Sequence, residues 1–111
     1  VVVTTDRRDA QRRVARRALA LDIPAVVPGL YPGGGGEIFV QLAPEQPCFM
    51  CWDGWRDGTE SPRGVSALGA DMLPTIQQAV FAALGLLDPH SSEARMFAGT
   101  REDPRPRQLF T

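Results

Sequence analysis

The strongest constraint on the fold is a strand–helix–strand pattern in the first thirty residues. Val1–Thr5 is a continuous β-branched run without polar alternation, which is typical of a strand buried on both faces of a parallel sheet. An amphipathic helix is predicted from about Arg7 to Leu21, and Ala25–Val27 forms the next short apolar strand. Because such a βαβ unit has parallel strands and a right-handed crossover, we expect an α/β fold.

The predicted first helix has an apolar face and a positively charged beginning. Its expected core residues follow spacings of four, four and three: Ala10, Val14, Ala18 and Leu21. Asp6 can cap this helix, with Asp9 as its capping-box partner. Arg7 and Arg8 lie at the positive end of the helix dipole, so they need a nearby acid or an anionic ligand unless they extend into water.

An alternating strand leads into the two cysteines of the chain. In residues 37–42 every second side chain is apolar, and these side chains lie on one face, so we expect an antiparallel strand here. The glycine-rich residues 31–36 before it are expected to form a turn, since a phosphate-binding loop would need a following lysine and a helix. Cys48 and Cys51 follow in a predicted loop flanked by prolines.

The second half of the chain contains one long uncharged helix, predicted from Met72 to Leu87 with Asp71 as its cap. Its large apolar side chains form one stripe: Leu73, Ile76, Val80, Leu84 and Leu87. Such a helix is expected to be buried, either in a core or between subunits. Arg95–Ala98 and Gln108–Phe110 are predicted to be short edge strands.

Composition excludes several functional classes. The chain has 111 residues, enough for one small domain, and a net charge of -1, which argues against a dedicated nucleic-acid binder or a polybasic membrane module. No signal peptide is visible and the uncharged helix is too short for a membrane span, so a cytoplasmic location is expected. The apolar run at the start and the strand-like end predict that residues 1–111 are a piece of a longer domain.

The Cys-x-x-Cys spacing leaves three interpretations open. Two thiolates at this spacing can bind one zinc ion, but a closed site needs four ligands, and His90, the only histidine, is distant in sequence. A redox pair is the second interpretation, although such a motif normally opens a helix, which Pro47 disfavours. The third is a pair of plain thiols or a local disulfide.

Asp6 is the candidate catalytic and cofactor-binding residue. A carboxylate at the C-terminal end of a buried parallel strand lies where α/β sheets bind ligands, and it can hold Mg²⁺ against phosphate oxygens. A simple helix cap is the alternative.

The motifs together resemble the second half of the ThiF/MoeB family, the bacterial relatives of ubiquitin-activating enzymes. A strand ending in aspartate is followed by a helix, an "IPAVVPG" strand and a "GEIFVQLAPEQPCFMC" segment. The later part of the family pattern is matched at Leu68-Gly69, Pro74-Thr75-Ile76, Gln77-Gln78-Ala79 and Leu84-Gly85. The resemblance covers residues 1–87 and depends on the order and spacing of motifs that are individually loose.

The resemblance implies a partial Rossmann-like domain that adenylates the C-terminal carboxylate of a ubiquitin-like or sulfur-carrier protein with ATP and Mg²⁺. Asp6 matches the family's metal-coordinating aspartate, and Cys48 and Cys51 match the first pair of its Zn²⁺ site. Arg7 replaces the usual asparagine, residues 58–70 contain no cysteine, and the family's ATP-binding N-terminal half is not in this sequence. These departures leave open a catalytically degenerate member that acts as a dimerisation or recognition module. A free-standing zinc-knuckle protein is a third hypothesis, and a homodimer burying Leu73–Leu87 is expected.

Overall fold

The computed structural model describes residues 1–30, 36–42, 48–55, 69–96 and 107–109. The helices are α1 (Arg8–Ala20), α2 (Phe49–Trp55), α3 (Gly69–Leu87) and α4 (Ser92–Met96), and the strands are β1 (Ala25–Leu30), β2 (Gly36–Gln41) and β3 (Arg107–Leu109). These elements form a small α/β fold, as predicted at the level of class. The predicted glycine-rich turn lies, except for its last residue, outside the described residues.

The sheet has the order β1-β2-β3 with antiparallel pairing throughout. β1 pairs with β2 from Ala25 opposite Gln41 to Leu30 opposite Gly36. The predicted antiparallel strand is therefore confirmed. The parallel strand pair that the βαβ pattern predicts is not found among the three described strands.

Parallel pairing is confined to the start of the chain. Val2 forms a parallel bridge with Val26, where Val3 N donates to Val26 O at 2.9 Å and Val26 N donates to Val1 O at 2.8 Å. The predicted parallel pairing of the first strand is thus confirmed only as this bridge. Its predicted burial on both faces is wrong, because Val3 is the only buried residue among residues 1–5. Val26 directs its backbone polar groups toward this segment, and Pro28, two residues on, directs its donor-free nitrogen to the same side. Because that side is not part of the β1–β2 ladder, β1 continues through the proline.

Helix α1 agrees with the predicted bounds within one residue, but its buried face is different. The buried side chains are Gln11, Ala15 and Ala18, whereas Val14 and Leu21 are exposed. The predicted Asp6–Asp9 capping box does not form, because Arg7 is the N-cap residue and no side chain caps the helix.

The C-terminus of α1 is closed by a Schellman motif. Asp22 adopts a positive φ of 55°, and Ile23 N donates to Ala18 O at 2.9 Å while Asp22 N donates to Leu19 O. This turn directs the chain into β1.

The two faces of the sheet pack against different helices. One cluster joins the sheet to α1 and α2 and consists of Val3, Ala15, Val27, Phe39 and Phe49, with Met50 and Trp52 at its margin. The other joins the sheet to α3 and consists of Val26, Ile38, Val40, Ala79 and Ala82, with Leu42 and Leu86 at its margin. β2 lies between the two clusters, so all six of its residues are buried.

Helix α3 packs on the sheet through small residues. Thr75, Ala79 and Ala82 are buried, and a Cβ atom at Gly36 would collide with the Thr75 side chain. The predicted cap, Asp71, lies inside the helix, which begins at Gly69. The large apolar stripe is not buried within the chain, because its five residues are exposed by 43% to 83%: Leu73, Ile76, Val80, Leu84 and Leu87. The predicted burial between subunits stays a prediction.

The segment after α3 forms a helix where a strand was expected. α4 packs on α3 at Gly85, where an added Cβ would lie 2.9 Å from Ala94 Cα. The predicted strand Arg95–Ala98 is wrong for its described part, since Arg95 belongs to α4. The strand predicted at Gln108–Phe110 exists as β3, shifted by one residue. In the described ranges, none of the helices combines the length and apolar character that crossing a bilayer requires.

Candidate functional site

The cysteine pair opens helix α2. Cys48 immediately precedes the helix, and its backbone oxygen accepts hydrogen bonds from Cys51 N at 3.1 Å and Trp52 N at 3.2 Å. The two Sγ atoms lie 3.4 Å apart, with Cys48 half-buried and Cys51 exposed. The expected loop is therefore wrong for the described residues of the motif: Cys48 directly precedes a helix, and Cys51 lies in the first turn of that helix.

The two thiols have opposite pKa shifts. Partial burial raises the pKa of the Cys48 thiol, but hydrogen bonds from the backbone and thiol of Cys51 and from Met50 N outweigh it, so the net pKa is lowered. The hydrogen bond with Cys48, together with the negative charge that Cys48 acquires, raises the pKa of Cys51. Cys48 is thus the thiol that ionises first.

Gln41, a buried residue of β2, positions the start of α2. Its Oε1 accepts a hydrogen bond from Phe49 N at 3.1 Å, and its Nε2 donates to Ala15 O at 2.9 Å. One side chain therefore satisfies an orphan donor at the beginning of α2 and ties α1 to the sheet.

Aromatic packing fixes the other side of α2. Phe39 meets Phe49 edge to face with centroids 5.8 Å apart, and Trp52 stacks on Phe39 at 6.4 Å. The buried Trp52 Nε1 has no hydrogen-bond partner within the described ranges.

A buried carboxylate joins α2 to the beginning of α1. Asp53 is fully buried, and its Oδ1 accepts a hydrogen bond from Arg8 Nε at 2.8 Å. Arg8 Nη2 also donates to Asp53 O at 3.0 Å, and Arg12 Nε donates to Asp53 Oδ2. Because each oxygen has a guanidinium donor, the desolvation of the carboxylate is offset by two charge-assisted interactions.

The arginines at the positive end of α1 have the acids that the sequence required. Arg7 donates two hydrogen bonds to Asp9, at 3.2 and 3.1 Å, and Arg8 binds Asp53. The hydrogen bond from Arg7 also lowers the pKa of the exposed Asp9. The need for an anionic ligand at these two arginines therefore disappears.

The turn at Asp6 is held by its neighbours. Gln11 Nε2 donates to Thr5 O at 2.7 Å, and Arg7 N donates to Thr5 Oγ1 at 3.2 Å. The Asp6 side chain itself is exposed and has no hydrogen bond or ion pair with any residue in the described ranges. It lies three residues beyond Val3, at the C-terminal end of the parallel-paired residues 1–3, which do not form the fully buried strand that the sequence predicts.

The cysteine pair has the geometry of half a zinc site. Tetrahedral coordination with Zn–S bonds of about 2.3 Å separates two sulfur ligands by about 3.8 Å, and the two Sγ atoms need only a small adjustment to reach this. In the part of the chain that the structure describes, no three His, Cys, Asp or Glu side chains come together as a metal site. His90 belongs to the turn between α3 and α4, where its backbone nitrogen donates to Asp88.

An apolar groove lies between α3 and the beginning of the chain. It has a volume of about 230 Å³. Its walls are Val2, Thr4 and Pro28 on the sheet side and Ile76, Ala79, Val80, Ala83 and Leu84 on α3. Four of the exposed apolar side chains line it.

Three positioning residues were missed by sequence reasoning: Gln11, Gln41 and Asp53. A signal for Asp53 existed, because Arg8 and Arg12 are four residues apart on one helix face and could share an acid. No sequence signal identified Gln41, whose partners are 26 and 8 residues away.

Comparisons with known proteins yielded no relative. No protein-family model, no curated protein and no solved structure matches this chain. Neither a fold family nor a function is therefore assigned by similarity.

Proposed function

We propose that residues 1–111 form the C-terminal portion of a ThiF/MoeB-like adenylyltransferase domain. Such a domain uses MgATP to activate the C-terminal carboxylate of a ubiquitin-like or sulfur-carrier protein. The order of elements supports the proposal: a parallel-paired segment, a helix, an antiparallel strand pair, a cysteine pair and a long helix across the sheet.

The position and exposure of Asp6 are the main support for the proposal. Its carboxylate is exposed, lacks a partner in the described ranges, and follows the C-terminal end of a parallel-paired segment. Ligands of α/β sheets bind at this end of parallel strands. When bound, Mg²⁺ would neutralise phosphate charge there, and Asp6 is the residue that would hold it. Gln11 supports this role by fixing the preceding backbone carbonyl.

Cys48 and Cys51 would supply one half of a structural zinc site in this domain. Their separation and their position on a helix anchored by Gln41 and Asp53 are compatible with chelation. The two remaining ligands would have to come from outside the described residues. Zinc would then stabilise the region around α2 without taking part in adenylation.

The apolar stripe of α3 supports self-association. Five large apolar side chains are exposed on one uncharged face, and burial of such a face is worth roughly 25 cal/mol per Å². We therefore include a homodimer that buries this face in the proposed function, with the carrier protein as a second partner.

The same stripe favours one alternative, a catalytically degenerate family member that serves as a dimerisation or recognition module. Arg7 stands where the family usually has asparagine, and its guanidinium binds Asp9. A Gly-x-Gly-x-x-Gly strand–turn–helix in sequence preceding Val1 would favour the enzyme, and its absence from the full-length protein would favour the module.

ATP–pyrophosphate exchange tests the proposal in two steps. The 111-residue chain alone should give no exchange, because the family's triphosphate-binding residues are not in it; robust exchange would overturn the assignment. In a longer protein that includes a nucleotide-binding half, Asp6→Ala should lower the exchange rate on the order of 100-fold or more. The control is Asp9→Ala, an exposed acid in the first turn of α1, which should retain exchange. Equal activity of the two variants would contradict the role of Asp6.

A further inference from the structure

We propose that Cys48 and Cys51 are a reversible dithiol–disulfide pair, oxidised by small-molecule disulfides. This inference is independent of the proposed adenylation, because it depends on the geometry of the two thiols and makes no use of Asp6 or ATP. It replaces the structural zinc site as the role of the same two cysteines.

The placement of the thiols carries the proposal. A disulfide requires an S–S separation of about 2.05 Å, so the two Sγ atoms, now 3.4 Å apart, must approach by about 1.4 Å. Rotation of the exposed Cys51 side chain can supply this movement without displacing the helix backbone. The sequence argued against a redox pair because such a motif normally opens a helix, which Pro47 was expected to disfavour. That argument no longer applies, because α2 begins at Phe49, directly after Cys48.

Neighbouring residues fix the backbone around the pair, whereas the Cys51 side chain is open to solvent. Phe49 is buried and its backbone nitrogen is bound by Gln41, and Asp53 is bound by Arg8 and Arg12. The backbone is therefore held at Phe49, between the two cysteines, and at Asp53, two residues after Cys51. Cys51, in contrast, is exposed to solvent, so an external disulfide can reach the pair.

The reaction balances with glutathione disulfide as the oxidant. The thiolate of one cysteine attacks a sulfur of glutathione disulfide, which forms a mixed disulfide and releases one glutathione thiolate. The second cysteine loses its proton to solvent and attacks the protein-bound sulfur of the mixed disulfide, which forms the Cys48–Cys51 bond and releases the second glutathione thiolate. The protein loses two protons and two electrons, and the oxidant becomes two molecules of glutathione.

Intact-mass spectrometry of the reduced protein treated with glutathione disulfide tests the proposal. The wild type should lose about 2 Da and all reactive thiols, with no accumulated glutathione adduct. Cys48→Ser and Cys51→Ser, in which ring closure is impossible, should each instead retain one glutathione adduct. Reduction with dithiothreitol should restore both thiols of the wild type.

Repeating the reaction in denaturant separates the folded geometry from the sequence spacing. Because the folded chain holds the second thiol close to the first, the mixed disulfide should be about tenfold less abundant in the folded than in the unfolded protein. Equal abundance, two separate adducts on the folded wild type, or unreactive thiols would overturn the proposal. Retention of one zinc ion per chain, with thiols that react only after chelation, would also overturn it and would identify a metal site. None of these outcomes bears on ATP–pyrophosphate exchange.

Discussion

The two faces of the sheet are covered in contrasting ways. On the α1–α2 face, large aromatic side chains point inward, and the buried polar groups of Gln41 and Asp53 have partners within the described residues. On the α3 face, the inward residues are small, such as Ala79 and Ala82, and the large apolar side chains point outward. The first face is closed, and the second is incomplete.

This difference shows that a helix can pack against the sheet while its stripe of large apolar side chains stays exposed. α1 is rich in arginine but is anchored through Arg8, Arg12 and two alanines, whereas α3, which has a single charged residue, leaves five large apolar side chains in water. The exposed apolar face supports the proposed homodimer. We therefore expect large stability effects on the α1–α2 face and association effects on the α3 face.

The loss of the buried ion pairs at Asp53 is expected to have a large effect on stability. Asp53→Ala removes the carboxylate that pairs with two guanidinium groups and should destabilise the fold by about 3 kcal/mol, the lower end of the range for breaking a buried pair. The lower end applies because Arg12 is 44% exposed and can be hydrated. Urea unfolding followed by tryptophan fluorescence measures this loss.

Asp9→Ala is the matched control for Asp53→Ala. Asp9 also binds arginine near the start of α1, but both partners are exposed, so its removal should leave the denaturation midpoint nearly unchanged. A similar loss in both variants would contradict the account of a closed, ion-paired face.

An intermediate effect is expected where α3 crosses the sheet. Gly36→Ala places a Cβ against the Thr75 side chain and 3.2 Å from Gly29 O, and it should cost about 1–3 kcal/mol. Adding Thr75→Ala should recover part of this loss, with a coupling energy of about 1 kcal/mol in a double-mutant cycle. Strictly additive effects would show that the helix does not approach the strand this closely.

A small effect on stability is expected at the open face. Val80→Lys replaces a side chain that is 49% exposed and should change the free energy of unfolding by less than about 0.5 kcal/mol at low protein concentration. Ala79→Lys, one residue earlier but buried, should prevent folding or strongly destabilise the protein. Comparable stabilities of the two variants would place the packing face of α3 elsewhere.

No change in stability is needed for the last prediction, which concerns the pH dependence of the thiols. Because the pKa of Cys48 is lowered and that of Cys51 is raised, Cys48 carries thiolate at lower pH and should be alkylated first, despite its smaller exposure. Peptide mapping after brief iodoacetamide treatment at a series of pH values measures the two profiles. Coincident midpoints would contradict the hydrogen-bonded geometry of the pair.

Local patterns predicted much of the fold. The 3.6-residue period predicted α1 and α3, because amphipathicity acts over short distances. The β-branched run at residues 1–5 predicted a strand, of which the structure has only a short parallel bridge. The start of the buried face of α1 was predicted one residue too early. Gln11 is buried there because its side chain donates a hydrogen bond to Thr5 O, which an apolar pattern does not indicate. Arg95 was placed in a strand because the packing of Gly85 against Ala94, which favours a helix there, is a tertiary contact.

The candidate site was predictable in its residues but not in its supports. Asp6 and the cysteine pair were identified from residue type and spacing. Asp53 and Gln41 were not identified. The two partners of Asp53 lie 41 and 45 residues away, and one partner of Gln41 lies 26 residues away. The orientation of α3 depends on the fit of small residues against Gly36, which a hydrophobic pattern does not encode.

Light scattering of the wild type beside Val80→Lys tests the contrast between the two faces most directly. We expect the wild type to have twice the mass of one chain at micromolar concentration. Val80→Lys should remain folded and have the mass of a single chain. A wild type that stays monomeric, or a folded Val80→Lys variant that associates as the wild type does, would contradict the assignment of the α3 face as an interface.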